Sequence, residues 1–259
     1  MSKLTITCLS RFPVKGLSAE PLNSVTLRAS EGVPGDRLFG FARYNSGFDP
    51  RNPEPLPKDR FVVLLKEAAL AGLQTHFDSQ SHVLQVKESA NTHWFEMRTQ
   101  QGRADAAKFL HRVLALSDPE PPIFVSSEPH RFTDVSVVSP AMMNAISLLN
   151  IASVNALGQK LKTEINPARF RANIEIDGLA PFAELNGVGA ILKFGNVRLR
   201  ILSRTKRCAA TEVNPDTAIR DLKLPYLIRQ QLGHTDMGVY VEVAEGGTLR
   251  LDQPGKMCV

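Results

Sequence analysis

The stretch "GAILKFGNVRLRILS", residues 189–203, reads as β-strand, and it stands between two others of the same kind, "FRANIEID" at 170–177 and "MGVYVEVAEGGTLRLD" at 237–252. The amino-terminal end continues the pattern. "LTITCLSRFPV" (4–14) and "LNSVTLRAS" (22–30) alternate with period two around the turn-rich "KGLSAEP" and predict a hairpin. "GVPGDRLFGFARYN" (32–45) is a strand behind a Pro-Gly turn, and "FDPRNPEPLPKDR" (48–60), with four prolines, is a loop. "HVLQVKES" (82–89) and "WFEMRT" (94–99) read as further strands. Helices are expected over Lys66–Gln74, within "GRADAAKFLHRVL" (102–114), over Pro140–Leu149 and over Ser153–Leu161. Strands outnumber helices and few β-α-β alternations appear, which predicts a mixed α+β, β-rich fold built on β-barrels, not a doubly wound sheet. The proline-rich "LSDPEPPIF" at 116–124 resists both helix continuation and central-strand pairing. It marks the expected division into an amino-terminal lobe, 1–118, and a second domain, 119–259.

A chain of 259 residues with 43% hydrophobic content has room for a sizeable core and does not read as disordered. Its three cysteines, Cys8, Cys208 and Cys258, are too far apart for a metal-spaced pair or a secreted disulfide framework, which fits a reducing compartment. The opening "MSKLTITCLSRF" lacks a long apolar core and a small-residue cleavage site, and no run approaches the length of a membrane span, so a cytoplasmic location is expected. A net charge of +5 points to an anionic partner. Because the cations are scattered and not interleaved with aromatics along a stripe, a concentrated anion pocket is expected and nucleic acid is not.

The one dense group of cations is "RTKRCAATEVNP", residues 204–215, where Arg204, Lys206 and Arg207 immediately precede Cys208. Cysteine is nucleophilic or metal-ligating as the thiolate, and neighbouring cations favour that anion, so Cys208 is the candidate reactive residue. A buried structural thiol at a strand end, with its cations turned to solvent, is the plainer alternative. Cys8, in an alternating strand, and Cys258, in a terminal tail, are expected to have no function. No histidine lies near Cys208 to support a Cys-His hydrolase.

Five motifs in order, "PVKG" (13–16), "GDRLF" (35–39), "RFRANIEIDG" (169–178), "RCAATEVNPDT" (207–217) and "GVYVEV" (238–243), resemble those of MOSC-domain proteins, named for the carboxy-terminal domain of molybdenum cofactor sulfurase. The similarity runs over nearly the whole chain, including the amino-terminal β-barrel lobe that accompanies many such domains. Within the family the chain resembles the amidoxime-reducing molybdoenzymes and their bacterial counterparts. The resemblance implies a molybdenum cofactor (molybdopterin) with Cys208 as thiolate ligand to the metal, or, where such domains serve sulfur transfer, as a persulfide carrier. Pyridoxal phosphate binding is a further property associated with the family.

Other positions carry over singly. Lys15 and Arg37 match residues that contact the cofactor's phosphate and pterin, Lys as a point charge and Arg as a planar fork; each could equally be a surface cation beside a turn. Arg171 and Asn173 are expected to share one strand face, with Phe170 and Ala172 on the other, and Arg169 to cover the rim. Ser153 matches a serine at a helix amino terminus, where an anion site or a plain N-cap both fit. Arg207 and Thr211 match positions that close around the cofactor. His234 and Asp236 lie near the expected entrance and read as surface loop.

The chain departs from the pattern in carrying Ala218 where Gly is common after "NPDT", and Lys206 where the amidoxime-reducing relatives have Ser. No cysteine spacing for a fused ferredoxin follows, so electrons are expected from an external electron-transfer protein, a ferredoxin or flavin reductase. The implied activity is reduction of small N-hydroxylated substrates or a related oxygen-atom transfer. A sulfurtransferase carrying a persulfide on Cys208, or a cofactor carrier without turnover, are the alternatives.

Overall fold

The structure, a computed structural model, describes residues 4–49 and 51–258. Pro50 of the proline-rich loop and the first three residues lie outside the described residues. In chain order the strands and helices are β1 (Leu4–Arg11), β2 (Glu20–Pro21), β3 (Ser24–Leu27), β4 (Phe39–Ala42), β5 (Gln74–Asp78), β6 (Val83–Glu88), β7 (Asn91–Glu96), α1 (Gln100–Val113) and β8 (Ile123–Ser126). Then come α2 (Pro140–Met143), β9 (Ile146–Asn150), α3 (Ile151–Leu161), β10 (Ile174–Asp177), β11 (Ile191–Phe194), β12 (Val197–Lys206), α4 (Leu224–Leu232), β13 (Asp236–Glu245), β14 (Gly247–Arg250) and β15 (Pro254–Cys258).

The main sheet runs β10-β9-β13-β12-β11-β15-β1 and closes on itself where β1 pairs antiparallel with β10, with β2 attached at the margin. Closure removes the free edges that an open sheet would present. Alternate residues fill its interior, Ile6, Leu148, Ile174, Leu199, Val239 and Val241 among them, all essentially solvent-free. β9 and β10 run parallel, joined by α3, and the other neighbours are antiparallel. A second core, running from Val14 to Leu116, forms where the antiparallel β5-β6-β7 sheet packs with α1 around Phe77, Leu84, Val86 and Leu110. The fold is the expected β-rich α+β barrel architecture. Among the described residues no helix is long and apolar enough to cross a membrane.

Several local expectations give way to tertiary context. β1 and β3 do not form a hairpin: β1 joins the barrel and makes two pairs with β2, while β3 pairs with β14. These two strands precede the expected boundary at 118/119 yet pair with strands of the carboxy-terminal half. The helix expected over Lys66–Gln74 is a single turn at Ala68–Gly72, followed by β5. Of the helix expected over Pro140–Leu149 only α2 forms; "ISLLN" becomes β9 because barrel neighbours on both sides supply its hydrogen bonds. "FRAN" is not strand either, since Pro167–Phe170 is one helical turn and Arg171 is left-handed at φ 51°. Cys258 is in β15 and exposed.

Candidate functional site

A cavity of about 340 Å³ opens between the barrel and the segments that pack beside it. Lys15, Arg37, Arg171, Asn173, Arg207, Cys208 and Thr211 all line it, although they come from widely separated parts of the chain. Lys58, Asp134, Thr205 and Tyr240 line it as well.

Backbone geometry aims these side chains. Gly16 has φ +87°, and a Cβ there would sit 2.4 Å from the carbonyl oxygen of Val62, so only glycine lets the "PVKG" turn press against the segment that follows Lys58. Arg37 and Arg171 both adopt left-handed backbone, at φ 50° and 51°, a conformation that costs a non-glycine residue about 1–2 kcal/mol. The turn at Arg171, not strand alternation, lets residues 171 and 173 reach the same cavity. The guanidinium groups of Arg37 and Arg171 lie over the ring of Phe12, at 4.6 and 4.3 Å from its centroid.

The charges are paired in a definite order. Lys15, 4% exposed, donates from Nζ to Asp134 Oδ1 at 2.5 Å and to the Phe132 carbonyl at 2.9 Å. Burial pulls the Lys15 ammonium below its ordinary value, assisted by Arg37 and Lys58 and opposed by Asp134. Burial pushes the Asp134 carboxyl up, but Lys15, Lys58 and Arg37 outweigh it and hold the group well below the usual carboxylate range. Arg37 pairs with Asp36, and burial pushes Arg171 and Arg207 down to about 10, still cationic at neutral pH.

The cation on the thiol is not one of its sequence neighbours. Lys58 Nζ donates to Cys208 Sγ at 3.1 Å and lies 3.5 Å from Asp134 Oδ2. Burial lowers Lys58, and Asp134 and Cys208 more than offset it, leaving the ammonium raised. Arg204 turns away, donating to the Leu185 carbonyl at 2.7 Å and to Asn186 at 3.1 Å. Arg207 donates to the carbonyls of Met237 and Phe170, at 2.7 and 3.0 Å. Lys206 lines the cavity, exposed, and its side chain makes no hydrogen bond or ion pair among the described residues.

Not every expected residue offers a free group. Asn173 Oδ1 accepts from Ser147 Oγ at 3.0 Å and Arg37 at 3.2 Å, while its amide donates to Asp36 at 2.9 Å and the Ser10 carbonyl at 3.2 Å. With its polar atoms engaged, it positions Arg37. Thr211 donates to the Cys208 carbonyl at 3.0 Å and closes the turn after the thiol. Arg169 is tied to Asp221 at 2.7 Å and the Glu212 carbonyl at 3.0 Å, and it too lines the cavity.

Ser153 is not at the cavity. It is fully buried in the first turn of α3, donating to Glu184 Oε1 at 2.8 Å and accepting from the Phe182 amide at 2.7 Å, while Asn150 caps the helix. A buried carboxylate takes the hydroxyl for which the sequence left an anion site and a plain N-cap open, and it serves neither. His234 and Asp236 also lie outside the cavity lining, with the Asp236 amide donating to His234 Nδ1 at 3.1 Å. Lys58 and Asp134 went unpredicted; their local signals, a Lys after "PLP" and an Asp in "FTD", resemble ordinary surface loop.

Residues 129–254 match the MOSC domain family model. This part of the chain is a MOSC domain. It contributes Asp134, Arg171, Asn173, Arg207 and Cys208 to the cavity, while Lys15, Arg37 and Lys58 enter from the sequence that precedes it. The chain is similar to mitochondrial amidoxime-reducing component 1 of Mus musculus, 29% identical over 119 residues, covering 41% of this chain and 34% of that protein. Mitochondrial amidoxime reducing component 2 of Bos taurus is 26% identical over 121 residues, covering 42% and 35%. The matches therefore span about a third of the length of these relatives. Among solved structures the YUAD protein of Bacillus subtilis aligns over 99% of this chain and 98% of its own, at 14% identity and TM-score 0.43. YiiM from Geobacillus stearothermophilus aligns over 44% and 54%, at 18% identity and TM-score 0.34.

Proposed function

We propose that the chain is a molybdenum-cofactor-dependent oxidoreductase that reduces small N-hydroxylated compounds with electrons from an external electron-transfer protein. The observation that carries this reading is the convergence of one thiol, Cys208, with Lys15, Arg37, Arg171 and Arg207 on a single cavity. A molybdopterin combines a soft, thiolate-accepting metal with an anionic phosphate, and this donor set is complementary to both. Among the described residues, three that line the cavity have buried atoms without a protein partner, Arg169 Nε, Thr205 Oγ1 and Arg207 Nη2. Such atoms are costly unless a bound group satisfies them.

The cofactor, when bound, supplies two-electron redox chemistry. Reduction of an N-hydroxyl group consumes two electrons and two protons and releases water. Cys208 would ligate the metal, and Arg37, Arg171 and Arg207 would hold the anionic end as planar forks. Lys15 would act through Asp134, which fixes both lysines. Leu64, Leu65, Val135, Val138 and Met142 line the rest of the cavity and offer an apolar surface to the substrate body.

The contact between Lys58 and Cys208 equally favours a persulfide carrier, because a cation on the sulfur favours its anionic form. Metal and pterin analysis of protein freshly purified from a cofactor-competent host separates the two. The oxidoreductase reading expects stoichiometric molybdenum and pterin, and Cys208→Ser retaining part of the pterin while losing reduction of an N-hydroxylated substrate. A persulfide mass on Cys208, with sulfur transfer proceeding without molybdenum, would sink that reading and support the carrier.

A further inference from the structure

A second cavity of about 310 Å³ lies on the outer face of the barrel, beside the first. Gly16, Leu64, Arg169, Arg171 and Ala210 line both. Its floor is the β1–β10 pair, where Cys8 stands opposite Glu175 immediately after a bulge in β1. Because Ile174 and Ile176 point into the barrel, Glu175 between them points outward into the cavity. Leu70, Ala71 and Leu73 line the opposite side, and Phe12, Leu17 and Val213 add further apolar surface beside the polar Ser10, Ser18 and Gln74.

Glu175 is the one carboxylate among the described residues lining this space. It makes no side-chain hydrogen bond or ion pair among the described residues, and burial alone acts on it, pushing its carboxyl up. The cations nearby are committed elsewhere. Arg169 is matched by Asp221, and Arg171 lies over Phe12 and donates to the Leu17 carbonyl at 2.7 Å. An apolar cavity holding a lone half-buried carboxylate is complementary to an apolar ligand with a positive head.

We propose that this cavity binds a small organic cation, a protonated amine or amidine with an apolar body, through Glu175. The site is distinct from the Cys208 cavity and does not depend on a cofactor there. Binding replaces an uncompensated half-buried carboxylate by an ion pair, so charge selects the ligand and the apolar walls supply contact area.

Cys8 reports on this cavity and Cys208 on the other, so alkylation of the full chain with iodoacetamide, resolved by mass spectrometry, tests the assignment. Benzamidine at about four times its dissociation constant, which gives four-fifths occupancy, is expected to slow Cys8 labelling by about fivefold and to leave Cys208 unchanged. Neutral benzamide and anionic benzoate are expected to give no protection. Glu175→Gln, near-isosteric, and Ala71→Trp, which fills the space from the opposite wall, should each abolish protection while circular dichroism shows the fold retained. The proposal is overturned if Cys8 is not labelled in the unliganded protein, if benzamidine gives no protection, if benzamide protects equally, or if protection survives in Glu175→Gln. None of these outcomes depends on metal content or reductase activity.

Discussion

Replacing Lys58 with Met removes the only side chain among the described residues that donates a hydrogen bond to Cys208 Sγ, at 3.1 Å, and keeps most of the aliphatic stem. A charged hydrogen bond contributes about 1.5–3 kcal/mol, and with Lys58 29% exposed the lower end applies. About 1.4 kcal/mol corresponds to a factor of ten, so loss of a donor of this strength from the attacking sulfur bounds the change in labelling rate at about tenfold. The expectation is that iodoacetamide labels Cys208 several-fold more slowly in Lys58→Met, up to about tenfold. Time-resolved peptide mass spectrometry gives the rate, with exposed Cys258 and barrel-face Cys8 as internal references. In the unsubstituted, cofactor-free chain Cys208 should label faster than Cys8 at equal exposure. Lys206→Met, lacking a contact to the sulfur, should have the smaller effect. An unchanged Cys208 rate in Lys58→Met, with the references also unchanged, would refute the claim that this lysine activates the thiol.

Asp134→Asn leaves buried Lys15 with the Phe132 carbonyl and no counter-charge, and because Asp134 is half-exposed the loss should be about 2 kcal/mol, below that of a fully buried pair. Urea unfolding measures it, and an unchanged midpoint at equal m-value would count against the pairing. Since Asp134 is held below its unfolded value, its stabilisation is present above about pH 4 and is lost as pH falls through the native value. Glu184 shows the opposite sign: burial raises it despite hydrogen bonds from Asn150 and Ser153, so stability should decline as pH rises from about 4.3 through its raised native value. Glu184→Gln should flatten that part of the stability profile, and an identical slope in the variant would argue against the assignment. Ala218→Gly should raise stability by about 0.5–1 kcal/mol, because Ala218 is left-handed at φ 58° and relief of that strain exceeds the added chain entropy. A lower unfolding midpoint would show that the turn does not store the strain.

Patterns read over a few residues were dependable where local forces decide the outcome. The alternation in "LTITCLSR", "VRLRILS" and "VYVEV" determined strands whose apolar face had to be buried, and the glycine of "PVKG" signalled a turn that no Cβ fits. "ISLLN" was not legible in the same way, because a short apolar run suits helix or strand until neighbours claim its hydrogen bonds. Ala218 was recognised as standing where glycine is common, but only the structure shows that the left-handed turn is kept with alanine in it.

The candidate site divides similarly. That Cys208 is a thiol amid positive charge follows from "RTKRC", and the ordered motifs were enough to bring Lys15, Arg37, Arg171 and Arg207 under suspicion together. Which cation meets the sulfur was beyond the sequence: strand β12 turns Arg204 toward Leu185, and the contact falls to Lys58, 150 positions away. Ser153 fails for the same reason, since Glu184 reaches its hydroxyl from 31 positions along the chain. Side-chain identity sets what chemistry a residue can perform and can be read one residue at a time. Coulombic and hydrogen-bond energies fall off over a few ångströms, so which groups perform that chemistry together is decided only when closure of the barrel brings distant segments within that range.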